Sequence, residues 1–295
     1  MRVLVTGSSG QLGAEVARQL APEHEVVGLD VLPGKWTTQV GDVADAGLIA
    51  GLMRGVDVVI HIASLHAPHV GQRSMQDFID TNVTGTLRLL EAASAAHVRR
   101  FVYTSTTSVY GYSLVPDGRE AVWVTEDLTP RPRDIYDITK LAAEELCSLF
   151  ARDHDLPTIC LRVSRFFEQT PDLMAAYRLY RGADVRDIAA AHILAATNQD
   201  IAFDIFTISA RSPFRREDAA ELLTDAPVVI RRYFPDTEDV FRALGWALPE
   251  SIDRVYVTEK AERLLVYTPQ HNFAELLDEL IRNPVGRLSF PLSGA

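Results

Sequence analysis

Cysteine is scarce. Cys147 and Cys160 are the only two in 295 residues, too far apart for a CxxC pair and too few for a disulfide framework. No apolar run approaches the ~20 residues that a membrane helix needs. The chain opens directly on an apolar stretch, Arg2-Val-Leu-Val-Thr6, without the charged, apolar and small-residue order of a signal peptide, so a cytoplasmic protein is expected. Positive charge is in deficit: the formal net charge is −11, which argues against nucleic acid or an anionic membrane as the main partner. There is no internal repeat and no low-complexity tract. His61, His66 and His69 do not match a common zinc spacing, and no nearby cysteine or carboxylate completes a set, so no metal is expected.

What is present is ample apolar material, 47% of the residues, enough for one large α/β domain or a large domain with a smaller partner. Short apolar runs at 2–6, 25–30, 38–40, 56–63, 100–105 and 158–163 alternate with helical spacing at 11–20, 48–53, 75–96 and 135–153. Strands so uniformly apolar suit a parallel sheet covered on both faces. Beyond residue 163 the rhythm breaks. A helix is expected at 184–197, strands at 203–209 and 228–233, and a terminal helix at 273–282. The expected fold is therefore α/β, a Rossmann-type doubly wound parallel sheet over residues 1–165. Residues 166–295 form mainly a small C-terminal substrate-binding lobe, with some elements packing back on the main sheet.

Gly7, Gly10 and Gly13 fall between the first strand and the first helix, in Thr6-Gly7-Ser8-Ser9-Gly10-Gln11-Leu12-Gly13. In that context the first glycine permits a tight turn, the second lets a pyrophosphate approach the backbone, and the third lets helix and strand pack closely. The helix N-terminus attracts the phosphate charge. Asp30 ends the second strand about twenty residues on, the position of a carboxylate that binds the adenosine ribose hydroxyls. It repels a 2′-phosphate, and Val31-Leu32-Pro33-Gly34 supply no arginine in compensation, so NAD is favoured over NADP. Asp42, followed by Val43, comes after the third strand; it can accept from the adenine amino group or serve as an ordinary turn residue.

Tyr136 and Lys140 stand one helical turn apart and share a helix face. A lysine ammonium there can lower the phenol pKa and make the tyrosine a usable acid/base. With the glycine loop upstream, the pair points to hydride transfer.

In this order, Thr6-Gly7-x-x-Gly10-x-x-Gly13, His61-Ile-Ala63, Asn82-Val-Thr-Gly85-Thr86, Ser105-Thr106-Thr107-Ser108-Val109-Tyr110-Gly111 and Tyr136-x-x-x-Lys140 make a set that resembles the extended short-chain dehydrogenase/reductases, the NAD-dependent epimerase/dehydratase family. The resemblance covers roughly residues 1–165. It implies that Thr106 hydrogen-bonds the reacting substrate oxygen, Tyr136 exchanges the proton, and Lys140 binds the nicotinamide ribose. Cofactor contacts would come from Gly7, Ser9, Gly10, Gln11, Leu12, Gly13, Asp30, Asp42, Val43, Ile62, Ala63, Ser64, Tyr136 and Lys140. Asn82 would brace the site. A homodimer is implied through the helices at 75–96 and 135–153, with Leu87, Leu90, Leu146, Leu149 and Phe150 as apolar material.

Two departures matter. Thr107-Ser108 follow Thr106 where sugar 4,6-dehydratases carry Asp-Glu, which counts against a dehydratase. After Arg162 the chain runs Arg165-Phe166-Phe167-Glu168 and soon reaches Val185-Arg186-Asp187, so the segment that grips a nucleotide diphosphate in the family is shortened. Arg165 is the preferred anion ligand there, while Arg178 and Arg181 read equally as a solvated helix face. His66, Thr106, Thr107, Tyr136 and Arg165 are the expected substrate contacts. The expected function is an NAD-dependent oxidoreductase or epimerase on a secondary alcohol of a sugar, sugar acid or nucleotide sugar. The competing reading is a non-catalytic dinucleotide-sensing regulator, which has no need of Thr106, Tyr136 and Lys140 together.

Overall fold

A computed structural model describes residues 1–282. Its main body is a seven-stranded, wholly parallel sheet of β1 (Arg2–Thr6), β2 (Glu25–Asp30), β3 (Gln39–Val40), β4 (Val58–His61), β5 (Arg100–Thr106), β7 (Thr158–Val163) and β8 (Phe203–Ile208) in the order β3-β2-β1-β4-β5-β7-β8. The strand order reverses direction between β1 and β4, and the crevice outside the strand ends at such a switch point is where α/β sheets bind ligands.

Alternation along the strands fills both faces. Val3 and Val5 join Val58, Ile60, Ile159 and Leu161 in a core closed by α1 (Gln11–Leu20) and α7 (Val185–Thr197). Leu4, Val59, Phe101 and Tyr103 point the other way, against α2 (Ala46–Leu52), α4 (Gly85–Ala95) and α5 (Ile135–Asp153). The helix expected at 75–96 consists of α3 (Met75–Phe78), a π-helical stretch (Ile79–Thr84) and α4. Leu90 and Phe150, expected at a dimer face, are core residues instead; Leu87, Leu146 and Leu149 are half-buried.

A third core belongs to a smaller lobe of α6 (Pro171–Tyr177), α8 (Ala219–Thr224), α9 (Ala226–Tyr233), α10 (Thr237–Ala243) and α12 (Phe273–Arg282), around Leu179, Phe214, Ile230, Phe241 and Phe273. Residues 228–233 are thus helical, against the expected strand. Asp225 caps the helix by accepting from the Val228 N–H, Pro227 sits in the first turn, and Ala226, Val229 and Ile230 bury one face. A short parallel pair joins the lobe to the main body: β6 (Val122–Val124) lies beside β9 (Arg254–Tyr256). α11 (Glu259–Leu264) returns to the sheet, with Ala261 and Leu265 in its first core. Among the described residues no helix is long and apolar enough to cross a membrane.

Candidate active site

The glycine loop is built by close backbone approaches. Gly7 has φ +74°, and a Cβ there would meet the Ala63 nitrogen at 2.8 Å. A Cβ on Gly13 would lie 2.0 Å from the Gly7 carbonyl oxygen, so α1 can pack on the loop only through glycine. Gly10, by contrast, would bring its Cβ near nothing but the Gly7 oxygen, at 3.3 Å. Protein packing does not require glycine there; the room it leaves belongs to the groove that it lines.

That groove encloses about 560 Å³. The loop and first turn of α1 contribute Gly7, Gly10, Gln11, Leu12 and Gly13; the ends of β2 and β3 contribute Asp30, Asp42 and Val43; the end of β4 contributes Ile62, Ala63 and Ser64. Ser9 is not brought to the lining. Its N–H donates to Asp30 Oδ2 at 3.0 Å and its hydroxyl to the Leu32 carbonyl at 2.7 Å, so it holds Asp30 from behind. Asp30 Oδ1 accepts from the Leu32 N–H at 2.9 Å, which leaves lone pairs on both oxygens for ribose hydroxyls. The residues present fit a dinucleotide: an open glycine cradle, a helix N-terminus and a carboxylate at the strand end. Among the described residues the lining carries Asp30, Asp42, Asp77 and Asp80 against Arg73 alone, a balance that disfavours an additional 2′-phosphate. Asp42 also closes its own turn by accepting from the Ala44 N–H at 2.8 Å.

Leu12, Ile62, Ser64 and His66 wall both this groove and a second cavity of about 250 Å³. Thr106, Thr107, Tyr136, Lys140 and Arg165 line the latter. Thr106 ends β5; its Oγ1 accepts from the Ser108 N–H at 3.1 Å, so its proton is free for another acceptor. Tyr136 lies in the first turn of α5, which Asp134 caps by accepting from the Asp137 N–H. Burial pushes the Tyr136 phenol up to about 12, and hydrogen bonding to the Thr106 side chain draws it back. Lys140 is equally buried. Its ammonium donates to the Thr104 carbonyl at 2.5 Å and stands 4.3 Å from the Tyr103 ring centre; burial pulls its pKa down to about 7 against the opposing charge of Glu144. From the sequence, Lys140 is expected to lower the phenol of Tyr136. In this structure the Lys140 ammonium donates to the neutral Thr104 carbonyl, and desolvation is the largest influence on both groups.

The surroundings hold this geometry. Asn82 accepts from the Leu65 N–H and donates to the Leu65 carbonyl and Thr139 hydroxyl, bracing the β4 loop against α5. Glu144, one turn beyond Lys140, forms a buried ion pair with Arg162 at 2.6 Å and accepts from Ser105, which ties α5 to β5 and β7. His61 is consumed between the Thr6 and Thr86 hydroxyls at 2.8 and 2.9 Å, and burial lowers it to about 3. The His66 ring lies 6.4 Å from that of Tyr136; burial and the nearby Lys140 charge hold it down at about 4, so it is neutral at physiological pH. Among the described residues no group of three or more His, Cys, Asp or Glu is placed to hold a metal.

Several lining residues escaped the sequence argument: Ser164 directly after β7, Arg133 before α5, and Arg254 and Tyr256, delivered by the β6–β9 pair. Arg181, which the sequence allows as either anion ligand or solvated face, lines the cavity. Arg178 does neither: it is buried and donates to Asp184 at 2.8 Å.

The model of the NAD dependent epimerase/dehydratase family matches residues 3–172. An uncharacterised UDP-glucose epimerase of Bacillus subtilis is 30% identical over 207 residues, 61% of this chain and 62% of that protein. The L-arabinose 1-dehydrogenase (NAD(P)(+)) of Haloferax volcanii is 30% identical over 179 residues, 55% of this chain and 66% of that one. In both, less than two thirds of the relative's length is spanned. Among solved structures, a short-chain dehydrogenase/reductase superfamily protein from Agrobacterium tumefaciens, with bound NAD, superposes at a TM-score of 0.74 with 22% identity, covering 98% of each chain. That likeness speaks for the fold.

Proposed function

The chain belongs to the NAD dependent epimerase/dehydratase family, and on that premise we propose that it is an oxidoreductase or epimerase acting on a secondary alcohol of a sugar, sugar acid or nucleotide sugar. One observation carries the reading: Thr106, Tyr136 and Lys140 line one cavity, and that cavity shares its walls with the dinucleotide groove. NAD in that groove supplies the acceptor or donor of the hydride exchanged with the alcohol carbon.

The chain's own residues supply the rest. Thr106, beside the Tyr136 phenol, turns its hydroxyl proton to the reacting substrate oxygen. Tyr136 passes a proton to that oxygen or removes it. Burial keeps the Tyr136 phenol protonated at neutral pH, the form that donates to a carbonyl oxygen. To accept a proton, Tyr136 needs a nearby positive charge, and Lys140, one turn along the same helix, is the group placed to bring it. Asp30 and the α1 N-terminus bind, Asn82 braces, and the neutral His66 borders the reacting end. The same trio serves a dehydrogenase and an epimerase. The relatives' names support both: one is an epimerase of a nucleotide sugar, the other a dehydrogenase of a free sugar.

A cytoplasmic homodimer, with Leu87, Leu146 and Leu149 as its apolar contacts, completes the proposal. The reading is tested by incubating the protein with NAD and a panel of sugars, sugar acids and nucleotide sugars. NADH absorbance detects net oxidation, and isomer-resolved chromatography detects epimerisation, which makes no net NADH. Silence in both assays across the panel, in protein that binds NAD, would refute it.

A further inference from the structure

The cavity beside Thr106 and Tyr136 has a lining out of keeping with the rest of the molecule. The chain carries a net charge of −11, yet among the described residues not one aspartate or glutamate lines that cavity, whereas Arg133, Lys140, Arg165, Arg181 and Arg254 do. Three of these cations are occupied: Lys140 by the Thr104 carbonyl, Arg133 by Asp137, and Arg254 by Asp253. Arg165 and Arg181 have no carboxylate partner among the described residues. They face the same ring, Tyr177, with guanidinium carbons 5.9 and 4.2 Å from its centre.

This juxtaposition is built by the backbone. The Arg165 N–H donates to the Arg181 carbonyl at 3.3 Å, and the Ala183 N–H donates to the Arg165 carbonyl at 3.0 Å, which zips the strand exit after β7 to the turn after α6. Two like charges gathered about one ring repel unless a counter-charge joins them. Two polar atoms here also lack partners: the Nε of Arg181 itself, and the neighbouring Ser164 Oγ on a residue only 3% exposed. Buried polar atoms are nearly always satisfied, so orphans in a cavity wall call for a ligand acceptor.

We propose that Ser164, Arg165 and Arg181 form a subsite for one compact anionic group, a carboxylate or a phosphate monoester, carried by the substrate itself. The substrate is then a small acid whose alcohol reaches Thr106 and Tyr136, and not a neutral sugar or a nucleotide sugar. The arginine forks match either group. A cavity of about 250 Å³ is below the ~300–1,000 Å³ of pockets for drug-sized ligands. The inference rests on the assignment of Thr106 and Tyr136 as the reacting end.

The test separates the two. With NAD present, hexuronates, aldonates, hexose monophosphates, neutral hexoses and UDP-glucose are compared for binding by saturation-transfer NMR and for turnover by the paired assays above. Anionic compounds are expected to bind at least about tenfold more tightly than their neutral counterparts, and the carboxylate and phosphate arms show which group the subsite takes. Arg165→Gln and Arg181→Gln should each weaken that binding by about 10- to 100-fold with NAD affinity unchanged, and lysine at either position should restore part of it. If the Arg181 variant fails to fold, the exposed Arg165 carries the test. Anion binding that depends on the arginines without any turnover would keep the subsite and remove the reading of Thr106 and Tyr136. Neutral sugars or UDP-glucose turned over equally well in wild type and variants would overturn the subsite and keep that reading. Absence of any anion preference in binding would overturn it as well.

Discussion

Gly13→Ala tests whether the glycine loop serves packing and binding through different residues. The new methyl would sit 2.0 Å from the Gly7 oxygen, 2.6 Å from its carbonyl carbon and 3.0 Å from Ser8 Cα. All three are backbone atoms, so no side chain can swing aside and α1 must shift. Overpacking of this kind costs about 3 kcal/mol at the upper end of its usual range, and alanine returns about 1 kcal/mol of helix propensity. The net loss is about 2 kcal/mol. With an unfolding entropy of about 2.1 cal/mol/K per residue, that lowers Tm by about 3 °C in a chain this long. Gly10→Ala behaves oppositely. Its φ of −74° suits alanine and its Cβ would meet only one atom, at 3.3 Å, so stability should stay within about 0.5 kcal/mol. The methyl would still occupy room in the groove, and NAD should bind at least about tenfold more weakly. Urea titration and calorimetry with NAD read the two effects separately. A Gly13→Ala protein as stable as wild type, or a Gly10→Ala protein with unaltered NAD affinity, would refute the division of labour.

Wild type should bind NAD far more tightly than NADP, and Asp30→Ala should weaken NAD while narrowing the gap; equal affinities in wild type by calorimetry would contradict the role of Asp30. Lys140 is lowered from 10.5 to about 7, so between those values the unfolded chain holds a proton the folded one lacks, and its contribution to stability rises with pH across that window. Relative to wild type, Lys140→Met should therefore have its most favourable Tm at about pH 6 and lose that advantage by about pH 10; a pH-independent difference would show that burial of Lys140 is not the cause. Sedimentation at micromolar concentration should give a dimeric mass, and a monomer there would remove the proposed interface.

Much of the main sheet was legible because its strands are short apolar runs whose two faces are both buried, and because glycine, a helix and an aspartate follow β1 and β2 in fixed order. The lobe was less legible. Val228-Val229-Ile230 look like a strand by their β-branched side chains, but the cap at Asp225, the proline in the first turn and a buried stripe one helix face wide decide for a helix. β6 and β9 are three residues each and lie some 130 residues apart in sequence, too short and too distant for any local pattern to pair them. The consequence reaches the site, since that pairing delivers Arg254 and Tyr256. Tyr136 and Lys140 could be paired from their spacing and Thr106 from the family resemblance, but not their electrostatics: Lys140 meets the Thr104 carbonyl and the Tyr103 ring, both brought in by β5, and Glu144 one turn along its own helix. Ser164 and Arg181 carried no motif, and only the zip between the β7 exit and the α6 turn puts them together.

On the proposed reading, Tyr136 moves the proton. On the substrate identified by the panel, Tyr136→Phe should keep its melting temperature and NAD affinity while turnover falls by about 10²- to 10⁴-fold, the usual effect of losing an acid/base. Near-wild-type turnover in a folded, NAD-binding Tyr136→Phe protein would show that another group moves the proton.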